Sequence, residues 1–493
     1  MQHAFGKSFV KLTLSRLITT GIAMIISTVL SRYLTLTEYG TYSQVILIAT
    51  LAVSLCSLGL PESINYFMMG RWKDPESQGR FLSLFFTMTG LIGGVIALVL
   101  AVASPLIAGM FRNPLISSFV LVMAVYPWTT LITNSMDNLL IVYGHTGLLL
   151  AYRIVFSASL LGSVFLCYAA GASFVVFMVV FLGVNAAFAL AGYVLIYAKA
   201  QRFRLLLDKA MLREIFAFSI PMAMAGIVGR VNIELGKLLI GNLFSTEDMA
   251  VYLMTAQELP FALVTSALTA LLLPLLVQAI RRGDTDGALR IWGESHVVCY
   301  YILAFCAAVL FVYAPEAVTL LYTEKYLAGV TVFRIYSLIL LMRATYYGML
   351  LNCLGKSREI LLSSAASLAV NLLLAYGCYL IWGFHGPAVG MLLCVVIINV
   401  LQLVLTSRSI RYPFGKLFPW KRLGAITLLN GGLAAAFVLV RAFFPSHPVL
   451  VLLVWTVAYV ILIRKRLVAC WQGMTTHADE ITRAAEEEPV SAV

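Results

Sequence analysis

The chain has 493 residues, 61 % of them hydrophobic and 11 % charged, with a formal net charge of +12. So few charges among so many apolar side chains exclude a sizeable soluble domain. The eight cysteines stand singly, with no Cys-x-x-Cys pair, which supports neither a disulfide framework nor a structural zinc site.

A hydrocarbon core needs roughly 20 helical residues to cross it. Fourteen apolar stretches of that order follow one another, at 9–34, 40–68, 82–109, 115–143, 147–169, 173–198, 213–242, 249–280, 290–313, 330–354, 360–382, 386–407, 422–441 and 447–464. They predict an all-α polytopic membrane protein. The first stretch is too long for the apolar region of a signal peptide and has no small-residue cleavage site behind it, so it is expected to be retained.

Basic residues mark the cytoplasmic side of such a bundle. Lys7 and Lys11 are followed by Arg71, Lys73 and Arg80, by Arg153, and by Lys199, Arg202, Arg204, Lys209 and Arg213. Arg281, Arg282 and Arg290 come next, then Lys356 and Arg358, the group from Arg408 to Arg422, and Arg464, Lys465, Arg466 and Arg483. These clusters fall on every second loop and hold 25 of the 34 basic residues, whereas the alternate loops carry Arg112, Lys325 and Arg441 against five acids. Both termini are therefore expected in the cytoplasm. The net charge is accounted for by this topology; no soluble face interleaves basic and aromatic side chains as nucleic-acid binding requires, and no nucleic-acid partner is expected.

The chain also repeats itself. Thr37-Glu38 recurs as Thr246-Glu247, 209 residues on; Pro61 is answered by Pro274, Arg71 by Arg281, and Leu139–Gly144 by Leu350–Gly355, at offsets of 213, 210 and 211. Repeats displaced by an even number of helices are parallel, and transporters built from them bind substrate between the halves near midplane. The expected organisation is an N-terminal lobe at 1–210, a pseudo-symmetric second six-helix lobe at 211–415, two additional helices at 416–466 and a polar cytoplasmic tail at 467–493, without a fold of its own.

A charge near the bilayer centre costs about 3 kcal/mol or more and persists where it faces a partner, a cavity or a substrate. The seventh stretch carries Arg230, Glu234 and Lys237, at spacings of four and three that place them on one helix face. Glu258 in the eighth stretch and Arg343 in the tenth lie comparably deep, and Arg16 adds a charge to the first. An internal Arg230–Glu234 pair leaves Lys237 over, so a hydrated, net-cationic cavity suits these residues better than a lipid-facing surface. Arg forks and Lys point charges bind phosphate well. Arg16, Arg230, Lys237 and Arg343 are the candidates for an anionic headgroup, Glu234 and Glu258 for charge pairing or ion coupling, and Pro221 and Pro260 for hinges.

No phosphate-binding Gly-x-x-x-x-Gly-Lys-Ser/Thr loop, His-Glu-x-x-His or Gly-x-Ser-x-Gly motif is present. The six histidines fall in loops, near helix ends or in the tails, where polar surface residues are expected. The longest alternate loop, 314–329, has room for about 16 residues, within the range of ordinary connections. Neither catalysis nor a cofactor nor a metal is expected.

Leu30-Ser31-Arg32-Tyr33-Leu34 followed by Glu38-Tyr39-Gly40-Thr41-Tyr42, Leu354-Gly355-Lys356 before a long apolar helix containing Asn371, and the turn Gly383-Phe384-His385-Gly386-Pro387-Ala388 resemble the polysaccharide-flippase branch of the multidrug/oligosaccharidyl-lipid/polysaccharide exporter superfamily. The resemblance spans the whole chain through short motifs. It implies alternating-access transfer of a polyprenyl-diphosphate-linked oligosaccharide from the inner to the outer leaflet of the bacterial cytoplasmic membrane, with a cationic cavity holding the diphosphate. Implied partners are the lipid-linked glycan, membrane lipids and other polysaccharide-assembly proteins. Two carboxylates among the basic groups depart from a purely cationic vestibule. A cation-coupled multidrug extruder would fit Glu234 and Glu258 better but usually lacks the last two helices; a non-transporting scaffold for polysaccharide enzymes is the third alternative.

Overall fold

The computed structural model describes residues 2–68, 72, 74–199, 208–257, 259–444 and 447–487. It is helical throughout, and no strand occurs among the described residues. Two units are formed, Met1–Met254 and Thr255–Val493.

The first unit contains α1 (Gln2–Tyr33), α2 (Leu36–Cys56), α3 (Leu60–Tyr66), α4 (Pro75–Met110), α5 (Leu115–Ser118), α6 (Val120–Val142), α7 (Thr146–Ala169), α8 (Phe174–Lys199), α9 (Lys209–Leu243) and most of α10 (Thr246–Thr255). The second contains α11 (Leu263–Arg281), α12 (Thr285–Val312), α13 (Ala314–Tyr322), α14 (Val330–Ile339), α15 (Met349–Cys353), α16 (Ser357–Trp382), α17 (Gly386–Ser409), α18 (Phe414–Leu417), α19 (Trp420–Phe443) and α20 (Pro448–Glu487). Among the described residues, ten helical segments are long and apolar enough to cross a membrane by length and composition. Helix or near-helix occupies every stretch the sequence marks, with interruptions in four: at Ser57–Gly59, at Phe119, between α10 and α11, and at Ala344–Gly348. A run of apolar residues cannot reveal such interruptions, because irregular backbone is tolerated at membrane depth wherever protein encloses it.

The repeat is written into the backbone. Asp74 and Asp284 cap α4 and α12 by accepting the amides of Ser77 and Gly287. Thr35 caps α2 in a reciprocal box with Glu38, and Ser245 and Asp248 make the same exchange at α10. Left-handed residues recur in step, Arg112 with Thr323, Gly144 with Gly355 and Gly171 with Gly383. All these pairs stand 210–212 residues apart.

Helices in lipid associate through close packing rather than exclusion of water, so small residues matter at their contacts. Gly386 and Gly390, one turn apart on α17, let it lie against the backbone of α16 at Cys378–Tyr379 and Leu374–Ala375. The N-terminal core gathers Leu60, Phe81, Phe85, Ile132 and Met136; the C-terminal core gathers Leu276, Ile291, Trp292, Tyr459 and Ile463.

Two expectations are corrected. The segment from Leu467 is not a frayed end: α20 runs on to Glu487, and Cys470, Met474 and Ile481 are buried in the C-terminal core. Their spacing keeps them on one side of the helix, an apolar stripe hidden in a polar composition. His296 is not a surface residue either, being buried in α12 among Tyr300, Tyr347 and Phe418.

Candidate functional site

The candidate charges begin with α9, whose first turn is held by Asp208 accepting the Ala210 and Met211 amides. Arg80 fixes Asp208 in turn, at 2.7 Å. From this anchor the helix runs unbroken through Pro221 and along α2 and α3.

Three turns beyond Pro221 lies a charged triad. Glu234 receives Arg230 on one carboxylate oxygen at 3.1 Å and Lys237 on the other at 2.7 Å. The carboxylate is almost wholly buried, its side chain 5 % exposed, whereas Arg230 keeps 42 % of its side-chain surface and Lys237 27 %. One buried anion thus holds two cations that still face outward from it, and the triad carries a surplus positive charge. The pairing is neither Arg230–Glu234 nor Glu234–Lys237 alone, but both. Arg230 also lies within electrostatic reach of Tyr126 on α6, which stacks on Phe181.

The other candidates sit elsewhere in the two units. Arg16 is exposed on α1 beside Arg153, which is engaged by Asp137 through both guanidinium and carboxylate faces. Arg343 is half-buried at the end of the 3-10 turn Leu340–Arg343, where the helical path breaks. Pro260 opens the 3-10 turn Pro260–Ala262 that leads into α11. Glu258 lies outside the described residues, as do Arg71, Lys73, Arg202 and Arg204 of the basic loops.

Sequence reasoning passed over two polar clusters. Asn113, buried between α4 and α5, donates to Thr41 at 2.8 Å and to Gln44 at 2.7 Å. In the second unit Arg422 grips both oxygens of Glu294 and donates to the Cys470 sulfur. Their partners are far apart in sequence, and no local spacing announces them.

The model of the polysaccharide biosynthesis protein family matches residues 29–331, more than half of the chain. The chain belongs to that family. Its fold is shared with solved structures of the multidrug/oligosaccharidyl-lipid/polysaccharide exporter superfamily. A lipid II flippase, MurJ, in an inward closed conformation has a TM-score of 0.69 at 12 % identity, over 92 % of this chain and 99 % of that one. An inward-facing multidrug resistance MATE transporter has a TM-score of 0.62 at 13 % identity, over 82 % and 98 %. A mutant of the Vibrio cholerae MATE transporter VcmN gives 0.55 at 16 % identity, over 83 % and 97 %. No curated protein matches by sequence. The chain is accordingly a member of the polysaccharide biosynthesis protein family with a multi-pass membrane fold like that of these transporters.

Proposed function

We propose that this family member transfers a polyprenyl-diphosphate-linked oligosaccharide from the inner to the outer leaflet of a bacterial cytoplasmic membrane by alternating access, for cell-surface polysaccharide assembly. The observation that carries the reading is the Arg230–Glu234–Lys237 triad. A charge-neutral pair would suffice to keep a carboxylate inside a membrane-length helix, yet two cations are present and both retain exposed surface. A surplus cation at that depth is costly without an anion to receive, and a diphosphate supplies one with several acceptor oxygens.

In this reading Arg230 and Lys237 receive the diphosphate and Glu234 positions the two cations; Arg16 and Arg343 are separate candidates for anion contacts along the substrate's path. The breaks at Pro260 and after Arg343 are the places where the helices flex. Similarity in fold to a lipid II flippase supports a lipid substrate.

The multidrug-extruder alternative needs a carboxylate free to take up a coupling cation. Both oxygens of Glu234 are already engaged by basic side chains, which favours charge pairing for this residue. The test is export of surface polysaccharide in cells whose own gene is replaced by Arg230→Gln/Glu234→Gln/Lys237→Gln, a variant with no orphaned carboxylate. Loss of export with normal membrane levels supports the proposal; unchanged export overturns the site.

A further inference from the structure

Three segments that loop alternation assigns to the basic side meet in the Thr255–Val493 unit, at the start of α12, the start of α19 and the middle of α20. Between them lies a cavity of about 510 Å³ lined by Arg290, Glu294, Arg422 and Arg466. Ala425, Ala469 and Gly473 make the room, since none presents more than a methyl group to the wall.

The charges are not evenly spent. Glu294 is taken up by Arg422, at 2.5 and 3.1 Å, and the second nitrogen of the same guanidinium reaches the Cys470 sulfur at 2.7 Å. That cluster ties three helices together and is neutral. Arg290 and Arg466 remain, both exposed and without an ion pair among the described residues. Farther along the wall, His477 bonds to Glu480 outside the cavity.

Depth identifies what such a cavity meets. The apolar run of α20 ends at Ile463, just before Arg464-Lys465-Arg466, and α19 begins with Trp420 immediately ahead of Lys421-Arg422. Trp420, next to Lys421, and Trp471, next to the lining residue Cys470, are 38 % and 49 % exposed, and exposed tryptophans are enriched at the headgroup level of a bilayer. Basic hollows between helices on that side recruit anionic headgroups.

We propose that the Arg290–Arg466 cavity binds a phosphate-bearing anion, the headgroup of an anionic phospholipid being its source at this level. The guanidiniums of Arg290 and Arg466 grip the phosphate, and the neutral Glu294–Arg422–Cys470 cluster forms the floor. This site is separate from the α9 triad and does not depend on the transport reading.

The experiment uses the full chain in neutral detergent micelles, titrated with short-chain phosphatidylglycerol, with net-neutral phosphatidylcholine and with inorganic phosphate. Two variants are compared: Arg290→Gln/Arg466→Gln, which leaves the helix-tying cluster intact, and Gly473→Leu, which fills the cavity without changing its charge. A side-chain carbon at Gly473 meets only open space, so both variants should fold with the wild-type thermal midpoint. Saturable phosphatidylglycerol binding, about tenfold or more weaker in the double variant and lost in Gly473→Leu, supports the headgroup source. Inorganic phosphate binding to wild type alone, with phosphatidylglycerol no better, supports the same phosphate chemistry from a soluble source. Equal binding of each anion by wild type and both variants overturns the site.

Discussion

The hydroxyl of Thr37 donates to the carboxylate of Glu247 at 2.6 Å. The caps place these two residues at the same point of the two turns, each two positions after its cap, Thr35 for α2 and Ser245 for α10, a register of 210 that shifts the Thr37-Glu38 and Thr246-Glu247 match by one residue. The repeated turns therefore touch at equivalent points. The contact pulls the Glu247 carboxyl below its ordinary value, chiefly through the Thr37 hydroxyl and then through its own backbone amide and the Ser245 side chain, against desolvation. A lowered folded value means that this stabilisation is complete above the unfolded value, about 4.3, and fades as pH falls through the folded one. Thr37→Val should cost under about 1 kcal/mol at neutral pH, because the pair is exposed. Thermal midpoints of wild type and variant should then converge once the pH has fallen through the folded value, and an unchanged gap in acid would show that the contact does not depend on the ionised carboxylate.

Gly40 makes the same meeting possible from the other side. A methyl group at this position would run into the carbonyl oxygen and side chain of Thr246. Gly40→Val should therefore destabilise the protein by roughly 1–3 kcal/mol, read as a fall in the thermal midpoint of the purified protein. Gly21, where added carbon meets nothing within 4 Å, is the control; Gly21→Ala should be neutral or slightly stabilising.

Asn113 serves two buried acceptors at once. Thr41 and Gln44 are both wholly buried; without the Asn113 amide Thr41 keeps only its bond to the Thr37 carbonyl, and the Gln44 carbonyl oxygen loses the donor it accepts from. Asn113→Leu should cost about 1–3 kcal/mol. Combining it with Thr41→Val and Gln44→Leu should recover part of that loss, because apolar replacement of both sides of a hydrogen bond is far milder than removal of one. Denaturation midpoints of the single and triple variants measure the recovery.

Much of this was legible in the chain, and particular residues explain where legibility ends. Apolar runs locate the helices because the bilayer imposes one length on all of them, and the repeat is visible because its turns must reuse the same caps and left-handed residues, Gly144 with Gly355 and Gly171 with Gly383. The Glu234 triad follows from spacing on a single helix, since side chains three and four apart are neighbours whatever surrounds them. Contacts such as Glu294 with Arg422 or Tyr459 with the Tyr301 carbonyl join residues more than 120 positions apart, and only folding brings those together. The end of α20 escapes a compositional reading for another reason. Composition from Leu467 onward is polar, but Cys470, Met474 and Ile481 are buried, so period outweighs average there. Truncation after Arg466 should accordingly lower the thermal midpoint, with each large buried side chain lost costing on the order of 1–3 kcal/mol; an unchanged midpoint would show that the extension packs without consequence.

The triad makes a prediction in which losing one more charge restores stability. Glu234 is buried and balanced by two cations. Arg230→Gln/Lys237→Gln removes both and leaves a carboxylate with no counter-charge, a state that costs several kcal/mol when a buried pair is broken from one side. Adding Glu234→Gln to that double variant removes the orphaned charge and keeps the volume, so the triple variant should melt above the double one although it departs further from the natural sequence. Each single cation variant should fall between, Lys237→Gln costing more than Arg230→Gln because Lys237 makes the shorter contact and is the less exposed partner. If the triple variant were no more stable than the double, Glu234 would be drawing its stabilisation from some group other than these two cations. A triple variant more stable than the double would separate charge balance from transport, since it is folded yet has no cation left on that face to receive the proposed diphosphate.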